Sequence, residues 1–413
     1  MRRVFITGSG SVSPFGVGVS TLLQGLKDRR SAVVDMSAEW EPLVHDLVGM
    51  VGAPCTEPLG EKRIPRKYRK TMGRAALMAY VAAAEAIEGA GLPEEIWMSG
   101  RAGVSFGSST GSTESILEAM FEVFETGEKR NLNSGTFFRI MSHTAAANLA
   151  QCFNIRGRVI APNCACSSAS QAIGLAYEMI KEGRQQVMLC GGCDELHVTT
   201  NAIFDLIQAA SFKYNDRPEE TPRPFDKDRD GTVCADGAGC VILESEESAR
   251  SRGARLLGEV IGFNTISSGT HIANADTESI AHCIRGALDD AGLRPADIDY
   301  VNAHATGTQI GDAGEAGALR DVFGSKAPPV SSLKGNIGHT LGASGAVELI
   351  ALLDMMENDA ILPIKNLEEP GEECKGLDYV TTPRSVQLNV CMKNSFAFGG
   401  INTVLIVGKA DRS

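Results

Sequence analysis

ALDDAGLRPADIDYVNAHATGT, residues 287–308, repeats the form of a stretch far upstream, AIEGAGLPEEIWMSGRAGVSFGSSTG, residues 86–111. Each reads as the end of a helix, an Ala-Gly-Leu turn, a strand, and then a turn of small residues. The glycine marks the helix stop, and the apolar run after it has strand length. A second echo follows. CACSSASQAIGLAYEMIKEG (164–183) and GHTLGASGAVELIALLDMMEND (338–359) both place small residues before a helix with an apolar stripe. The chain therefore reads as two related α/β halves, residues 1–250 and 251–413, joined near ESEESARSRGARLL (244–257).

Further segments fit the alternation. VFITGSG (4–10) reads as a strand entering a glycine turn, and TMGRAALMAYVAAAEAIEGAGL (71–92) as a helix ended by Gly89 or Gly91. RQQVMLCGG (184–192) reads as a strand followed by a glycine turn. Two such halves would bring equivalent loops to one central cleft. Residues distant in sequence can then meet.

Composition narrows the function. The chain has 413 residues, 43% of them hydrophobic, enough for a large core. A net charge of −12 argues against nucleic acid as the main partner. No apolar run has transmembrane length, so membrane insertion is not expected, and the first residues lack the apolar core of a signal peptide. Eleven scattered cysteines, an odd number, suit the reduced thiols of a cytoplasmic protein. Against the acidic background, KRIPRKYRKTMGR (62–74) carries seven basic residues and no acid. It is either a solvated face or a dock for an acidic partner.

Three residues stand out for chemistry. Cys166 lies in APNCACSSAS, between a strand and a helix start. Free N–H groups there would favour a thiolate and offer donors to an oxyanion. The alternative is a small buried cysteine. His304 and His339 lie in paired Gly- and Thr-rich loops, DYVNAHATGTQIGD and SSLKGNIGHTLGASGA, not on apolar helix faces. Lys334 precedes His339 by five positions and either orients a neighbour or lies at the surface. Cys164–Cys166 and Cys190–Cys193 have spacings that zinc or redox chemistry can use, but their surroundings favour packing. No phosphate-binding glycine loop is complete.

Taken in order, VFITGSGSVSPFG, NCACSSASQAIG, CGGCDEL, TPRPFDKDRDGTVCADGAG, VNAHATGTQIGD, SSLKGNIGHTLGASGAVE and NSFAFGGINTVLI span nearly the whole chain. This ordered set resembles the β-ketoacyl-[acyl-carrier-protein] synthases of the thiolase superfamily, closest to the elongating type. The resemblance implies a thiolase-like five-layered αβαβα fold. It also implies an acyltransferase that condenses malonyl carrier with an acyl group held on Cys166. Fatty acid synthesis or a specialised polyketide or aryl-polyene pathway would use the same chemistry.

Carried over by motif, His304 and His339 are the pair that stabilises the enolate. Lys334 and Glu348 support that pair. Phe398 is the gate, and its N–H joins that of Cys166 in the oxyanion hole. Arg66, Arg69 and Lys70 fall on the carrier-docking patch, and Phe106 and Ser108 on the acyl pocket. The family needs no metal or organic cofactor. It pairs with acyl carrier protein, and its subunits form homodimers or heterodimers with a related subunit. Ala305 and Ile401 depart from the glycine and threonine common in relatives. A non-catalytic chain-length-factor subunit would usually lack Cys166. A thiolase would use a second cysteine as base, and a starter-type enzyme would carry asparagine in place of His339.

Overall fold

The computed structural model describes residues 2–130 and 132–410, apart from the Arg63 side chain. Its centre is one mixed sheet of eleven strands, one of them the short Gly16–Val17 partner of the first. The ten principal strands are β1 (Val4–Ser13), β2 (Ala102–Gly107), β3 (Val159–Ile160), β4 (Val187–Asp194), β5 (Gly237–Ser245), β6 (Gly258–Ser267), β7 (Tyr300–Asn302), β8 (Val330–Ser331), β9 (Val390–Ala397) and β10 (Ile401–Gly408).

The order across the sheet is β8-β7-β9-β10-β6-β1-β5-β4-β2-β3. Read outward from the middle, both halves have the same pattern: first, fifth, fourth, second and third strand. The sense repeats as well. The second strand is parallel to its two neighbours in each half. The fifth is antiparallel to the first and the fourth. The repeat read from the Ala-Gly-Leu turns is thus a repeat of whole topology. The halves join where Val4–Ile6 of β1 pairs antiparallel with Gly258–Val260 of β6.

Six helices complete the layers: α1 (Arg74–Ala90), α2 (Thr144–Cys152), α3 (Ser168–Lys181), α4 (Thr277–Ala291), α5 (Gln309–Phe323) and α6 (Ser344–Asn358). Helices α3 and α6 lie together in the middle, and their apolar stripes share one core with both half-sheets. Helices α1 and α2 cover the outer face of the first half-sheet, and α4 and α5 that of the second. Strand alternation serves two cores at once. In β4, Met188 and Cys190 enter the central core while Val187, Leu189 and Cys193 enter the outer one. The five layers expected from the resemblance are present.

Two glycine turns read from the sequence are strand instead. β1 runs straight through Gly8 and Gly10, because α1 crosses so close that a Cβ at either position would strike the Ala86 or Ala82 carbonyl. Strand β4 continues through Gly191 and Gly192 to Asp194. Cys190 and Cys193 therefore point to opposite faces and cannot act as a pair. The stop of α1 falls at Gly91, with φ 61°, not at Gly89. Among the described residues no helix is long and apolar enough to cross a membrane.

Candidate active site

The site forms where a turn from each half docks on the other half. After β3 the chain makes a short 3₁₀ turn over Ala165–Ser167 and enters α3. Ala165 takes a left-handed backbone, φ 46°, immediately before Cys166, which lines the cavity described below. The turn rests on the second half: Ser167 Oγ donates to the Ser395 carbonyl of β9 at 3.0 Å. Its counterpart is the 3₁₀ turn Leu341–Ala343 at the start of α6, with Leu341 at φ 48°. That turn rests on the first half, where the Gly342 N–H donates to Asp194 at the end of β4 at 2.6 Å.

His339 precedes the second turn and is buried. Its N–H donates to the Val233 carbonyl, and its own carbonyl accepts from Ala235, so its backbone is fixed on both sides. Nδ1 lies 2.9 Å from Ser344 Oγ, while Nε2 has no partner among the described residues. His304 follows β7. Its N–H and that of Ala305 donate to the two oxygens of Glu315, and Thr306 and Gly307 donate to Asp312. Both carboxylates stand on α5, one turn apart, so this helix pins the loop that carries His304.

The imidazoles meet edge to face, with centroids 5.3 Å apart and planes at 82°. A sulfur and nitrogen atom set from Cys166, His304 and His339 lies within 4.8 Å. Burial pushes the Cys166 thiol up to about 12, though Lys334 opposes this. Loss of water thus opposes the thiolate that the helix start favours. Burial also drives both imidazoles well below the usual histidine range, reinforced by the Lys334 and Lys393 ammonium groups. At neutral pH both histidines are uncharged.

Behind them lies a buried charge cluster. Lys334 Nζ donates to Glu348 Oε1 at 2.5 Å. Lys393 Nζ sits 2.8 Å from Glu348 Oε2. All three side chains are buried. Lys393, Glu315, Asp312 and Asp194 did not emerge from the sequence reading. The three-residue spacing of Asp312 and Glu315 on one helix face could have flagged that pair. Lys393 gave only the signal of a lone cation in an apolar strand, VCMKNSFA.

A cavity of about 400 Å³ opens onto Cys166, His304 and His339. Thr306, Thr308 and Phe398 line its walls. Phe398 stands at the tip of the β9–β10 hairpin, 37% exposed, with its ring 5.8 Å from that of Phe204. The other sequence-derived positions lie apart. Phe106 is buried in the outer core under α1 and α2. Ser108 Oγ donates to Asp194 at 2.7 Å. Neither lines this cavity. Arg66 and Lys70 are exposed on a short helical turn, and Arg69 donates to the Glu61 carbonyl. Arg74, the last of the seven basic residues, is drawn inward to buried Asp236 at 2.7 Å.

The profile of the β-ketoacyl synthase N-terminal domain matches residues 1–249, and that of the C-terminal domain matches residues 257–368. A 3-oxoacyl-[acyl-carrier-protein] synthase 1 of Haemophilus influenzae is 37% identical, covering 98% of each chain. The crystal structure of a β-ketoacyl synthase from Burkholderia phymatum STM815 superposes with a TM-score of 0.95 at 40% identity, over 99% of this chain and 100% of that one. A ketosynthase of a type II polyketide synthase, solved in complex with its acyl carrier protein and bound to a hexaketide, superposes at 0.89 with 28% identity. That match covers 99% of this chain and 100% of the other.

Proposed function

The chain belongs to the β-ketoacyl synthases, and from that premise we propose that it lengthens acyl groups delivered by an acyl carrier protein, by decarboxylative condensation with malonyl carrier. The observation that carries this reading is the triad itself: the cysteine sulfur and two imidazoles within 4.8 Å, lining one cavity.

The first half-reaction moves the acyl group from the carrier thioester to Cys166. A carbon–sulfur bond forms at Cys166, the carrier's bond breaks, and the thiol proton leaves with the departing carrier thiol. A neutral imidazole beside the sulfur can relay that proton. In the second half-reaction malonyl carrier loses carbon dioxide. The electron pair of the broken bond moves to the thioester carbonyl, and the enolate oxygen accepts N–H bonds from the histidines. When Ser344 donates to Nδ1 of His339, the proton of that ring sits on Nε2, the nitrogen without a partner.

Charge neutrality of the imidazoles matters here. An imidazolium would hold the malonyl carboxylate as an ion pair and oppose its departure, stabilising substrate over transition state. The enolate carbon then attacks the Cys166 thioester. The tetrahedral oxyanion meets the N–H groups of Cys166 and Phe398. Collapse releases Cys166 and a 3-oxoacyl carrier two carbons longer. None of these steps calls on a metal or an organic cofactor.

Arg66, Arg69 and Lys70 form the surface that receives the acidic carrier. The active assembly is a dimer, of two copies or with a related subunit. The test uses purified protein, acyl carrier thioesters and malonyl carrier. Mass spectrometry should find the acyl group on the Cys166 peptide and a lengthened carrier product. Acylation at Cys164 or Cys193 with Cys166 free would overturn the assignment. A panel of short, medium and long primers, saturated and unsaturated, separates bulk fatty acid elongation from a specialised polyketide or polyene pathway.

A further inference from the structure

Lys393 has no task in the steps above, yet it is wholly buried. It stands on β9 with its side chain on the same face as Cys391, which enters the central core, while Met392 enters the outer one. That face meets α6, and there Lys393 reaches Glu348. Burying an ammonium is costly unless it is paired and hydrogen-bonded. Lys334 donates only to Oε1 of Glu348, and Oε2 accepts no hydrogen bond among the described residues. Each of its oxygens faces a separate ammonium, Oε1 facing Lys334 and Oε2 facing Lys393. Lys393 also donates to the Asn394 carbonyl and lies 3.4 Å from Ser395 Oγ. Asn394 in turn donates to Glu315 at 2.9 Å, and Glu315 holds the backbone of His304 and Ala305.

We propose that Lys393 is a positioning residue for the condensation, tying Glu348 and Glu315 into one charge-balanced cluster that keeps the histidine pair uncharged. Two ammonium groups, Lys334 and Lys393, offset two carboxylates, Glu348 and Glu315. The remaining groups around the pair are accounted for separately. Asp194 is satisfied by Ser108, Ser109 and the Gly342 N–H. Asp312 accepts from Thr306, Gly307 and Phe225, and its carboxyl is pushed up to about 7 by burial. Cys166 and Cys234 are thiols raised by burial. Removing Lys393 leaves one uncompensated carboxylate behind the imidazoles, which favours their protonation.

The inference rests on the proposed condensation, and the two can fail separately. Malonyl decarboxylation is measured against pH in wild type, K393M, K393R and the double variant K393M/E348Q. Loading of an acyl group onto Cys166 serves as the check that each variant is folded. In K393M the acidic limb of decarboxylation should move up by about one pH unit, while loading persists. The His304 and His339 imidazole signals, followed by NMR, should titrate higher by the same amount. K393R keeps the charge and should keep the wild-type limb. K393M/E348Q restores the balance through Lys334 and Glu315 and should return the limb toward wild type. A folded K393M with an unmoved limb and unmoved imidazole signals overturns the inference. So does a limb that stays displaced in the double variant. Should K393M not load, E348Q alone decides: with one carboxylate fewer beside Lys334 and Lys393 the limb should move down, and an unmoved limb in a loading E348Q overturns the inference. A wild-type protein without decarboxylation overturns the proposed reaction instead.

Discussion

The turns at Cys164–Ser168 and Thr340–Ser344 have one backbone and two uses. Each has a left-handed second residue, a 3₁₀ turn and a central helix, and each docks on the opposite half. The third position is Cys166 in one and Gly342 in the other. In the second turn a side chain at this position has no room, since a Cβ would come within 2.6 Å of Asp194 and 2.9 Å of the Ser109 nitrogen. Its N–H is spent on Asp194. In the first turn the same position faces the cavity, and its N–H is the one we assign to the oxyanion. The repeat supplies geometry twice. Chemistry is placed by which copy leaves space beside it.

Replacing the occupied position should have the largest effect. C166A should lose acyl loading and fall by about 10³-fold or more in condensation, as when a nucleophile is removed from a set that acts as a unit. Its unfolding free energy from urea titration should stay within about 1 kcal/mol of wild type. H304A and H339A come next. Each should lose about 10²–10³-fold in malonyl decarboxylation while Cys166 still loads, because the donors meet charge that develops only in the second half-reaction. Normal condensation in H339A would break the assignment of the enolate site.

The empty position should respond in the opposite sense to Cys166. G342A should cost about 1–3 kcal/mol of stability from overpacking against Asp194 and Ser109, read from urea unfolding. A neutral G342A would mean that the second turn has the same freedom as the first. The smallest effect belongs to the surface. R69E/K70E should raise KM for carrier-bound substrate by about fivefold, with little change on a pantetheine analogue. Salt should weaken the wild-type carrier reaction by screening the same charges. Equal losses on both substrates would point away from docking.

The fold was legible because both copies kept their punctuation. The Ala-Gly-Leu turns at 90–92 and 291–293 mark helix stops in both halves, with Gly91 and Gly292 left-handed in each. Cys166, His304 and His339 were legible because polar residues in glycine-rich loops are hard to explain by packing. The rest depended on contacts between halves. Gly8 and Gly10 looked like a turn because nothing local shows that α1 will cross there. Lys393 looked like an ordinary strand cation, since its partner Glu348 lies on a helix that the strand meets only after both halves close. The state of Cys166 depends on both ranges. The helix start, which favours a thiolate, is local, whereas the burial that opposes it comes with the closing of the halves.

The three-residue seam between β1 and β6 makes each half the other's missing neighbour. Made alone, either half would carry a strand with one open edge beside an uncovered apolar helix, α3 or α6. Such surfaces recruit whatever strand or apolar face they meet first. Two separately made pieces, cut in the exposed turn around Gly253, should therefore find each other before either finds its own shape. The enzyme is in this sense an internal dimer whose two members share one chain, and its active site is their interface.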